Sequence, residues 1–351
     1  MRVVVTGASG NVGTSVLEAL ARDASVSSIL ALSRRPLGLR YPKVDWARAD
    51  VARDDLVPHL RGADVVIHLA WLIQPGRDEA TTRATNVEGS RRTFEAVVAA
   101  EVPALVYASS VGAYSPGPKD RAVDEDWPTN GIDSSFYSRH KSEAERILDG
   151  IERDAPRLRS VRLRPGLIFK REAASGIRRL FAGPFLPNAL LRPQLLPIVP
   201  DIPNLVFQAV HSLDVGDAYR LAATSDDARG AFNIAAEPVL NPAVIAAALE
   251  AHTLPVPARV ARRLASATFR MRLQPTEPGW LDMALRIPVM DTTRARSELG
   301  WTPTRDATGA LLELLEGMRT GAGIATPPLD PATSGPLRIR ELLSGVGGRS
   351  T

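Results

Sequence analysis

The chain has 351 residues, of which 44% are hydrophobic and 23% are charged, and its formal net charge is +4. This balance is that of a globular protein of one large domain or two unequal ones. No apolar run approaches the roughly 18 residues of a membrane span, and the absence of cysteine excludes disulfides and thiolate metal sites. The basic residues, almost all arginines, are scattered and mostly interleaved with acids, which is typical of a solvated surface. We therefore expect a cytoplasmic protein with no metal site and with neither nucleic acid nor membrane as partner.

Strand-like and helix-like segments alternate through the first half of the chain. Apolar or β-branched runs predict strands at residues 2–6, 29–33, 64–70, 104–109 and 160–164, and helical spacing occurs over 14–22, 86–101 and 138–152. The run at 64–70 is apolar on both faces, as expected of a buried parallel strand. This alternation predicts an α/β fold with a doubly wound parallel sheet of the Rossmann type.

The pattern changes after Pro165. Residues 186–203 are rich in proline and leucine, 231–235 predict a late strand, and 243–252 and 307–318 predict helices. We assign residues 1–166 to a nucleotide-binding Rossmann domain, to which a segment of about 207–236 returns. Residues 167–206 and 237–320 then form a smaller, irregular substrate-binding region. Residues 321–351, rich in Gly, Pro, Ser and Thr, are expected to be a loose tail.

The turn from the first strand into the first helix reads Thr6-Gly7-Ala8-Ser9-Gly10-Asn11-Val12-Gly13. Gly7 suits a tight turn, Gly10 a close approach of the backbone to a pyrophosphate, and Gly13 close packing of helix on strand. Such turns use glycine in any case, but here a strand and a helix flank the glycines on both sides. The motif therefore predicts a dinucleotide site whose phosphates face the helix N-terminus. The residues expected to contact the cofactor there are Gly7, Ser9, Gly10, Asn11, Val12 and Gly13.

Tyr137 and Lys141 are four residues apart and lie on one face of a predicted helix. The simplest alternative is a solvated pair on the surface. An unperturbed tyrosine has a pKa near 10, too high for a base at neutral pH. A nearby ammonium, together with the charge of an oxidised nicotinamide, would lower that pKa by about two or three pH units. The pair therefore indicates an acid/base tyrosine assisted by a lysine.

The glycine spacing and the Tyr-x-x-x-Lys pair resemble those of the extended short-chain dehydrogenase/reductases, the NAD-dependent epimerase/dehydratase family. Further matches are Asp50-Val51, His68-Leu69-Ala70-Trp71, Asn86 with Gly89, Arg164-Pro165-Gly166, His211 with Asp214-Val215, and residues 299–303. The resemblance implies that Asp50 binds the adenine amine. It also implies cofactor contacts at Val51, Leu69, Ala70, Trp71, Asn86 and Pro165. Trp71 departs from the family's alanine and narrows the pocket, while His68, His211 and Asp214 taken alone indicate buried structural groups.

The same resemblance implies a catalytic set of Ser110, Tyr137 and Lys141. In the family the catalytic Ser or Thr lies four residues before a tyrosine, and counting back from Tyr114 gives Ser110, with Ser109 beside it. Lys141 would hold the nicotinamide ribose hydroxyls, and Ser110 would position the substrate oxygen. The family's 4,6-dehydratases carry Asp-Glu at the next two positions, whereas this chain has Val111-Gly112. Neither side chain transfers a proton, so we expect hydride chemistry without dehydration.

The end of the second strand bears on the choice of cofactor. An acid there would bind the ribose hydroxyls and select NAD, but the chain has Ser33-Arg34-Arg35. A small hydroxyl followed by two guanidinium groups suits a 2′-phosphate. This favours NADP(H), with NAD(H) the alternative if the arginines are merely solvated.

The sequence thus predicts an NAD(P)-dependent oxidoreductase or epimerase acting at a hydroxyl or keto carbon. Arg178, Arg179 and Arg192 would suit a sugar nucleotide, whereas the surrounding Leu and Pro residues would suit an apolar carbonyl compound. A non-catalytic nicotinamide sensor is the alternative, and the retained Tyr–Lys pair argues against it. We also expect a homodimer formed by the helices beginning near Asn86 and Tyr137, with Phe94 and Val98 facing outward.

Overall fold

The first half of the chain folds as alternating strands and helices. A computed structural model describes residues 1–35, 38–74, 77–181 and 197–334. The strands are β1 (Arg2–Thr6), β2 (Ser28–Ser33), β3 (Val44–Arg48), β4 (Val65–His68), β5 (Ala104–Ala108), β6 (Ala122–Val123) and β7 (Arg159–Pro165). The helices are α1 (Asn11–Arg22), α2 (Val57–Leu60), α3 (Glu79–Arg83), α4 (Gly89–Ala99) and α5 (Phe136–Asp154).

The second half contains shorter strands and more helices. Its strands are β8 (Leu167–Phe169), β9 (Ile198–Asp201), β10 (Phe207–His211), β11 (Gly230–Ile234), β12 (Ala236–Leu240), β13 (His252–Pro255) and β14 (Val289–Met290). Its helices are α6 (Ala174–Phe181), α7 (Ser212–Thr224), α8 (Pro242–Ala248), α9 (Ala258–Arg270), α10 (Pro278–Arg286), α11 (Thr293–Glu298) and α12 (Ala307–Thr320). No helix in these described stretches is long and apolar enough to cross a membrane.

The main sheet has seven parallel strands in the order β11-β7-β5-β4-β1-β2-β3. Because strand side chains alternate between faces, Val3 and Val5 join the core under α1 and α7, whereas Val4 joins the core under α4 and α5. All three valines are fully buried. Helices thus cover both faces of the sheet, and the doubly wound α/β prediction is confirmed.

The carboxyl ends of the central strands form the crevice in which a ligand would bind. Thr6, the last residue of β1, lies in register with Leu32 of β2 on one side and with His68 of β4 on the other. The chain leaves β1 for β2 and later crosses back to β4, so the strand order reverses here. Doubly wound sheets bind their ligands at such a switch point.

Among the described residues of the second half, β11 returns to the large sheet and pairs with β7, while α7 packs on α1. The other later strands form small sheets, β12-β10-β8 and β13-β9, and β14 pairs with β6 of the first half. The helix predicted over residues 243–252 is wrong at its end. It stops at Ala248, and residues from His252 form β13, because Thr253 and its neighbours pair with β9.

Residues 322–330 lie in the segment expected to be a loose tail, and in the structure they pack against α6. Thr326 and Leu329 are buried, and the Ser175 hydroxyl donates to the carbonyl of Ala322 over 2.7 Å. Residues 182–196, which include Arg192, and residues 335–351 lie outside the described residues.

The orientation expected for Phe94 is wrong. Its ring is fully buried and packs edge-to-face against Tyr107 and His68. The reason is helical phase, because Phe94 and Val97 share the face of α4 that covers the sheet. Of the two residues expected to face outward, Val98 is the one that is exposed.

Candidate active site

The glycine loop leaves open space at the start of α1. Gly7 has φ +68°, and a Cβ there would lie 2.6 Å from the Ala70 nitrogen. A Cβ on Gly13 would lie 2.5 Å from the Gly7 carbonyl oxygen. In contrast, a Cβ on Gly10 would meet only that same oxygen, at 3.4 Å. Gly7 and Gly13 are therefore required by the turn itself, whereas Gly10 keeps clear the approach to the helix N-terminus.

The first turn of α1 is suited to an anion. Its N-cap residue, Gly10, has no side chain to cap the helix, and the turn holds no acidic residue. The backbone N–H groups of Asn11, Val12 and Gly13 therefore have no intrahelical acceptor, and the helix dipole favours negative charge beside them. Asn11 Nδ2 donates to the Ile168 carbonyl over 3.3 Å, while its buried Oδ1 has no hydrogen-bond partner within the described ranges. The free N–H groups and the helix dipole fit the diphosphate of a dinucleotide.

The carboxyl ends of β2 and β3 form the neighbouring corner of the crevice. The Ser33 hydroxyl donates to the Arg35 carbonyl over 2.6 Å, and the side chains of Arg34 and Arg35 are exposed. Arg48 on β3 lies in register with Ser33 and was missed because β3 is short and its residues are at most half-buried. Beyond β3, Asp50 accepts a hydrogen bond from the backbone N–H of Ala52 over 3.0 Å.

The chain beyond β4 borders the crevice on its other side. The Leu69 N–H donates to the Thr6 carbonyl, and the backbone of Ala70 lies against Gly7. Asn86 is fully buried, and its amide accepts from the N–H of Leu72 over 2.7 Å and donates to the Leu72 carbonyl over 2.8 Å. Asn86 therefore positions the backbone of this segment, and its side-chain amide is used up in doing so. Two further expected contacts are buried, namely Val51, three residues after β3, and Pro165, the last residue of β7.

The three expected catalytic side chains come together beside this crevice. Tyr137 and Lys141 occupy successive turns of α5, and Ser110 follows the end of β5. The Ser110 hydroxyl accepts from the Gly112 N–H over 3.0 Å and is hydrogen-bonded to the Tyr137 hydroxyl. The Lys141 ammonium donates to the Ala108 carbonyl over 2.6 Å. Tyr137 and Lys141 could be predicted from the sequence because their spacing of one helical turn is local.

The charges in the cluster differ from the expectation. Burial raises the pKa of Tyr137 to about 12, and its hydrogen bond with Ser110 lowers it only in part. Burial also lowers the pKa of Lys141 well below its ordinary value, against the attraction of Glu145. In the protein by itself, Lys141 does not offset the effect of burial on the tyrosine pKa, and the lowering expected from the lysine together with an oxidised nicotinamide stays a prediction. The physical reason is that the ammonium lies 5.9 Å from the Tyr137 ring centroid and is directed at the Ala108 carbonyl.

A buried ion pair supports the cluster from behind. Glu145, one turn after Lys141, accepts from Arg164 Nη2 over 2.6 Å and Nε over 2.8 Å, and both side chains are buried. The Ser109 hydroxyl also donates to Glu145, so Ser109 belongs to this network and Ser110 to the reactive cluster. The Tyr114 hydroxyl accepts from Arg164 over 3.0 Å. The signal for Glu145 was its position four residues after Lys141.

Aromatic side chains surround Tyr137. Its ring centroid lies 4.8 Å from that of Trp280 on α10 and 5.9 Å from that of Trp71. Phe181, the last residue of α6, packs edge-to-face on Trp280. Trp280 and Phe181 were missed by sequence reasoning, because α10 and α6 reach Tyr137 only in the folded chain.

The polar residues interpreted as structural have structural partners. His68 is bonded to the Thr6 hydroxyl over 2.8 Å and to the Ser90 hydroxyl over 3.0 Å, and burial lowers its pKa to about 3. His211 caps α7, and Asp214 accepts from the Thr304 hydroxyl over 2.6 Å. Across the described parts of the chain, no group of three His, Asp or Glu side chains is arranged to hold a metal.

Three arginines were expected to bind an anionic substrate, and one of them, Arg192, lies outside the described residues. Arg179 donates to the Pro328 carbonyl and so holds the C-terminal stretch against α6. Arg178 is buried.

Comparison with known proteins adds the family. The profile described as the NAD dependent epimerase/dehydratase family matches residues 3–235. The L-arabinose 1-dehydrogenase (NAD(P)(+)) of Haloferax volcanii is 36% identical over 110 residues, which are 31% of this chain and 41% of that protein. The sterol-4-alpha-carboxylate 3-dehydrogenase (decarboxylating) of Candida albicans is 27% identical over 190 residues, 50% of this chain and 54% of that protein. The chain thus spans about half or less of these two relatives.

A solved structure extends the fold comparison over almost the whole chain. The UDP-glucose 4-epimerase of Thermus thermophilus in complex with NAD is 22% identical, and the match has a TM-score of 0.65. It covers 91% of this chain and 99% of the epimerase. At this identity the likeness shows a shared fold.

Proposed function

The chain belongs to the NAD dependent epimerase/dehydratase family, and from that premise we propose that it is an NAD(P)-dependent oxidoreductase or epimerase. Its reaction transfers a hydride at a hydroxyl or keto carbon of a small substrate. The observation that carries the proposal is the convergence of Tyr137, Ser110 and Lys141 beside the glycine loop, at the switch point of the sheet. A sensor that only bound the cofactor would not need this hydroxyl pair.

Each part of the site has a separate task in this reaction. When bound, the nicotinamide accepts or supplies the hydride. The N–H groups at the start of α1 hold the diphosphate. Ser110 holds the substrate oxygen, and the Tyr137 hydroxyl gives a proton to that oxygen in reduction or removes it in oxidation. Lys141 holds the ribose, and its charge stabilises the tyrosine as the proton leaves.

The positions after Ser110 separate this reaction from dehydration. Val111 and Gly112 form part of a tight turn, and a Cβ on Gly112 would lie 2.8 Å from Cε1 of Tyr137. No acid or base fits at Gly112 without displacing the tyrosine. Elimination of water needs both an acid and a base there in the family's pattern, so the proposed chemistry is reduction, oxidation or epimerisation through a ketone.

The cofactor proposed is NADP(H). Support comes from the exposed guanidinium groups of Arg34 and Arg35 at the end of β2, with Arg48 on the neighbouring strand. Arginine binds phosphate through paired, charge-assisted hydrogen bonds, and the described residues at the end of β2 include no acid that would favour ribose hydroxyls.

Replacing Tyr137 by Phe tests the proposed activity, because it removes one oxygen and little volume. Nicotinamide absorbance is followed with a panel of sugar nucleotides and small ketones or alcohols, and epimerisation, which leaves the cofactor unchanged overall, is followed by chromatography of the products. We expect the rate with any substrate that wild type turns over to fall by roughly 10² to 10⁴, with cofactor affinity and thermal stability nearly unchanged. Tyr41→Phe, far from the cluster, is the matched control.

Two results would count against the proposal. Full activity of the Tyr137→Phe protein would mean that the proton travels by another route. Tight nicotinamide binding by wild type without turnover of any panel member would favour the sensor.

A further inference from the structure

Trp71 occupies an unusual place in the site. It follows β4, and its ring centroid lies 3.4 Å from the Lys141 ammonium nitrogen. The other two rings near that nitrogen, those of Tyr107 and Tyr137, have centroids at 5.4 and 5.9 Å. The indole therefore covers one side of the ammonium at a distance typical of a close cation–π contact.

The remaining surroundings of Lys141 are almost free of compensating charge. Its side chain is 3% exposed, and its ammonium donates a hydrogen bond to the neutral carbonyl of Ala108. Glu145, the carboxylate on the same helix that attracts Lys141, is bound by Arg164, Arg162 and Ser109. Such a buried ammonium is costly unless its surroundings stabilise the charge.

The titratable groups that face Lys141 are not sufficient to stabilise the charge of its ammonium. On α5 they are Tyr137 and Glu145, and on β5 the group is Tyr107, whose burial raises its pKa. On β4 the group is His68, which burial keeps neutral. Of these, only Glu145 carries a negative charge, and the arginines of β7 neutralise it.

The placement of Trp71 is explained by its ring. The indole Nε1 is buried and has no hydrogen-bond partner within the described ranges. A buried donor without an acceptor is unfavourable, so a hydrogen bond does not account for the position of the side chain. The π face accounts for its position, because the attraction between an aromatic ring and a cation is largest where water is excluded.

We propose that Trp71 is a positioning residue whose π face keeps Lys141 charged and directed beside the Ala108 carbonyl. The inference rests on the proposed function in one respect, namely that Lys141 serves the acid/base tyrosine. It explains why an indole stands where the family has a small residue. The larger ring narrows the pocket and also adds to the attraction of Glu145, which Lys141 shares with the arginines of β7.

Direct titration of the lysines tests this without any turnover. The chain has four lysines, Lys43, Lys119, Lys141 and Lys170. With 13C-labelled lysine, the Cε resonance of each can be followed against pH, and Lys141 is assigned by its loss in Lys141→Arg. We expect Trp71→Leu to lower the titration midpoint of Lys141 by about one pH unit or more, and Trp71→Phe to restore most of it.

Trp280→Leu is the matched control, because it removes an indole that packs on Tyr137 and is not one of the rings near the Lys141 ammonium. Its Lys141 midpoint should stay within a few tenths of a pH unit of wild type. Should the Leu variant fail to fold, as judged by the Lys119 and Lys170 resonances, Trp71→Met gives the same comparison.

The outcomes are distinct. An unchanged midpoint in the folded Trp71 variants would overturn the proposal. Equal changes in the Trp71 and Trp280 variants would also overturn it, because they would reflect hydration of the site as a whole. Loss of turnover in Tyr137→Phe bears on the proposed function alone, since the titration does not depend on activity.

Discussion

Among single residues, Tyr137 has the environment that most directly determines proton transfer. Because burial raises its pKa to about 12, the phenol is protonated at neutral pH and is ready to act as an acid. We expect the single-turnover rate of ketone reduction to be flat from about pH 6 to about pH 9 and to fall only as the pH rises towards the tyrosine pKa. Stopped-flow measurement of nicotinamide absorbance checks this. A decline centred near neutral pH would mean that Lys141 or the cofactor lowers the tyrosine pKa far more than the buried site raises it.

Arg34 and Arg35 bear on the choice between NADP(H) and NAD(H). Both side chains are exposed, with no ion pair among the described residues. Replacing both by Ala should weaken NADP(H) binding by about 10- to 100-fold and leave NAD(H) binding within a few fold, since only NADP(H) has a 2′-phosphate to lose. Calorimetric titration of both cofactors measures it, with Arg22→Ala at the far end of α1 as control. Equal losses for the two cofactors would show that the arginines are merely solvated.

The residues that could be predicted from sequence are those whose spacing itself carries the chemistry. Gly7 and Gly13 are fixed by one tight turn, and Tyr137 and Lys141 by one helical turn. Trp280 could not be predicted, because α10 follows Tyr137 by more than a hundred residues and meets it only after folding. The pKa direction of Tyr137 could not be predicted either, because burial is a property of the packed site.

At the scale of elements, the Glu145–Arg164 pair ties α5 to β7. Replacing Glu145 by Ala leaves Arg164 and Arg162 buried without their common carboxylate, which should cost about 3 to 5 kcal/mol of the free energy of unfolding. Glu143→Ala on the same helix is the control, because its partner Arg83 is 42% exposed and such pairs contribute about 1 kcal/mol or less. Urea denaturation measures both. Similar losses in the two variants would mean that the buried pair contributes no more than a surface pair.

His68 joins β4 to β1 and α4, and its pKa makes stability depend on pH. The ordinary pKa is 6.5 and burial lowers it to about 3, so between these values the unfolded chain binds a proton that the folded chain does not. Its contribution is fully present above pH 6.5 and is lost as the pH falls, by up to about 1.4 kcal/mol per pH unit. Between about pH 7 and pH 5 the loss in the free energy of unfolding should be about 2 kcal/mol smaller in His68→Gln than in wild type. His252→Gln, at an exposed position, should keep the wild-type dependence.

The elements of the first half were predictable because strong apolar runs alternate with helical spacing. The segment predicted as residues 29–33 forms Ser28–Ser33, and that predicted as 138–152 forms Phe136–Asp154. Val44–Arg48 was missed because its residues are at most half-buried at the edge of the sheet. The end of the helix predicted at 243–252 was wrong because pairing with β9 outweighs local helical preference.

For the whole molecule, the parallel sheet gathers distant segments at one edge. The glycine loop, the chain after β4, Ser110 and the end of β7 all lie at the carboxyl ends of neighbouring strands, although they span residues 7 to 165. The later segment, Pro278–Arg286, then places Trp280 against Tyr137. The fold could be predicted from the first half of the sequence. The aromatic surroundings of Tyr137 could not, because they depend on how the irregular second half packs on the first.

The homodimer expected from the sequence remains a prediction about the outer face of α4 and α5. With Phe94 buried, the exposed positions of α4 include Arg91, Glu95 and Val98, the last 39% exposed. A twofold axis brings the same face of each subunit together, so an arginine of one copy can meet a glutamate of the other around the two valines. Light scattering at micromolar concentration should give twice the chain mass, and Val98→Glu should shift it towards the monomer. Val260→Glu on α9, at an exposed position of another helix, should leave the mass unchanged. A monomeric wild type, or a Val98→Glu protein that stays dimeric, would place the interface elsewhere or remove it.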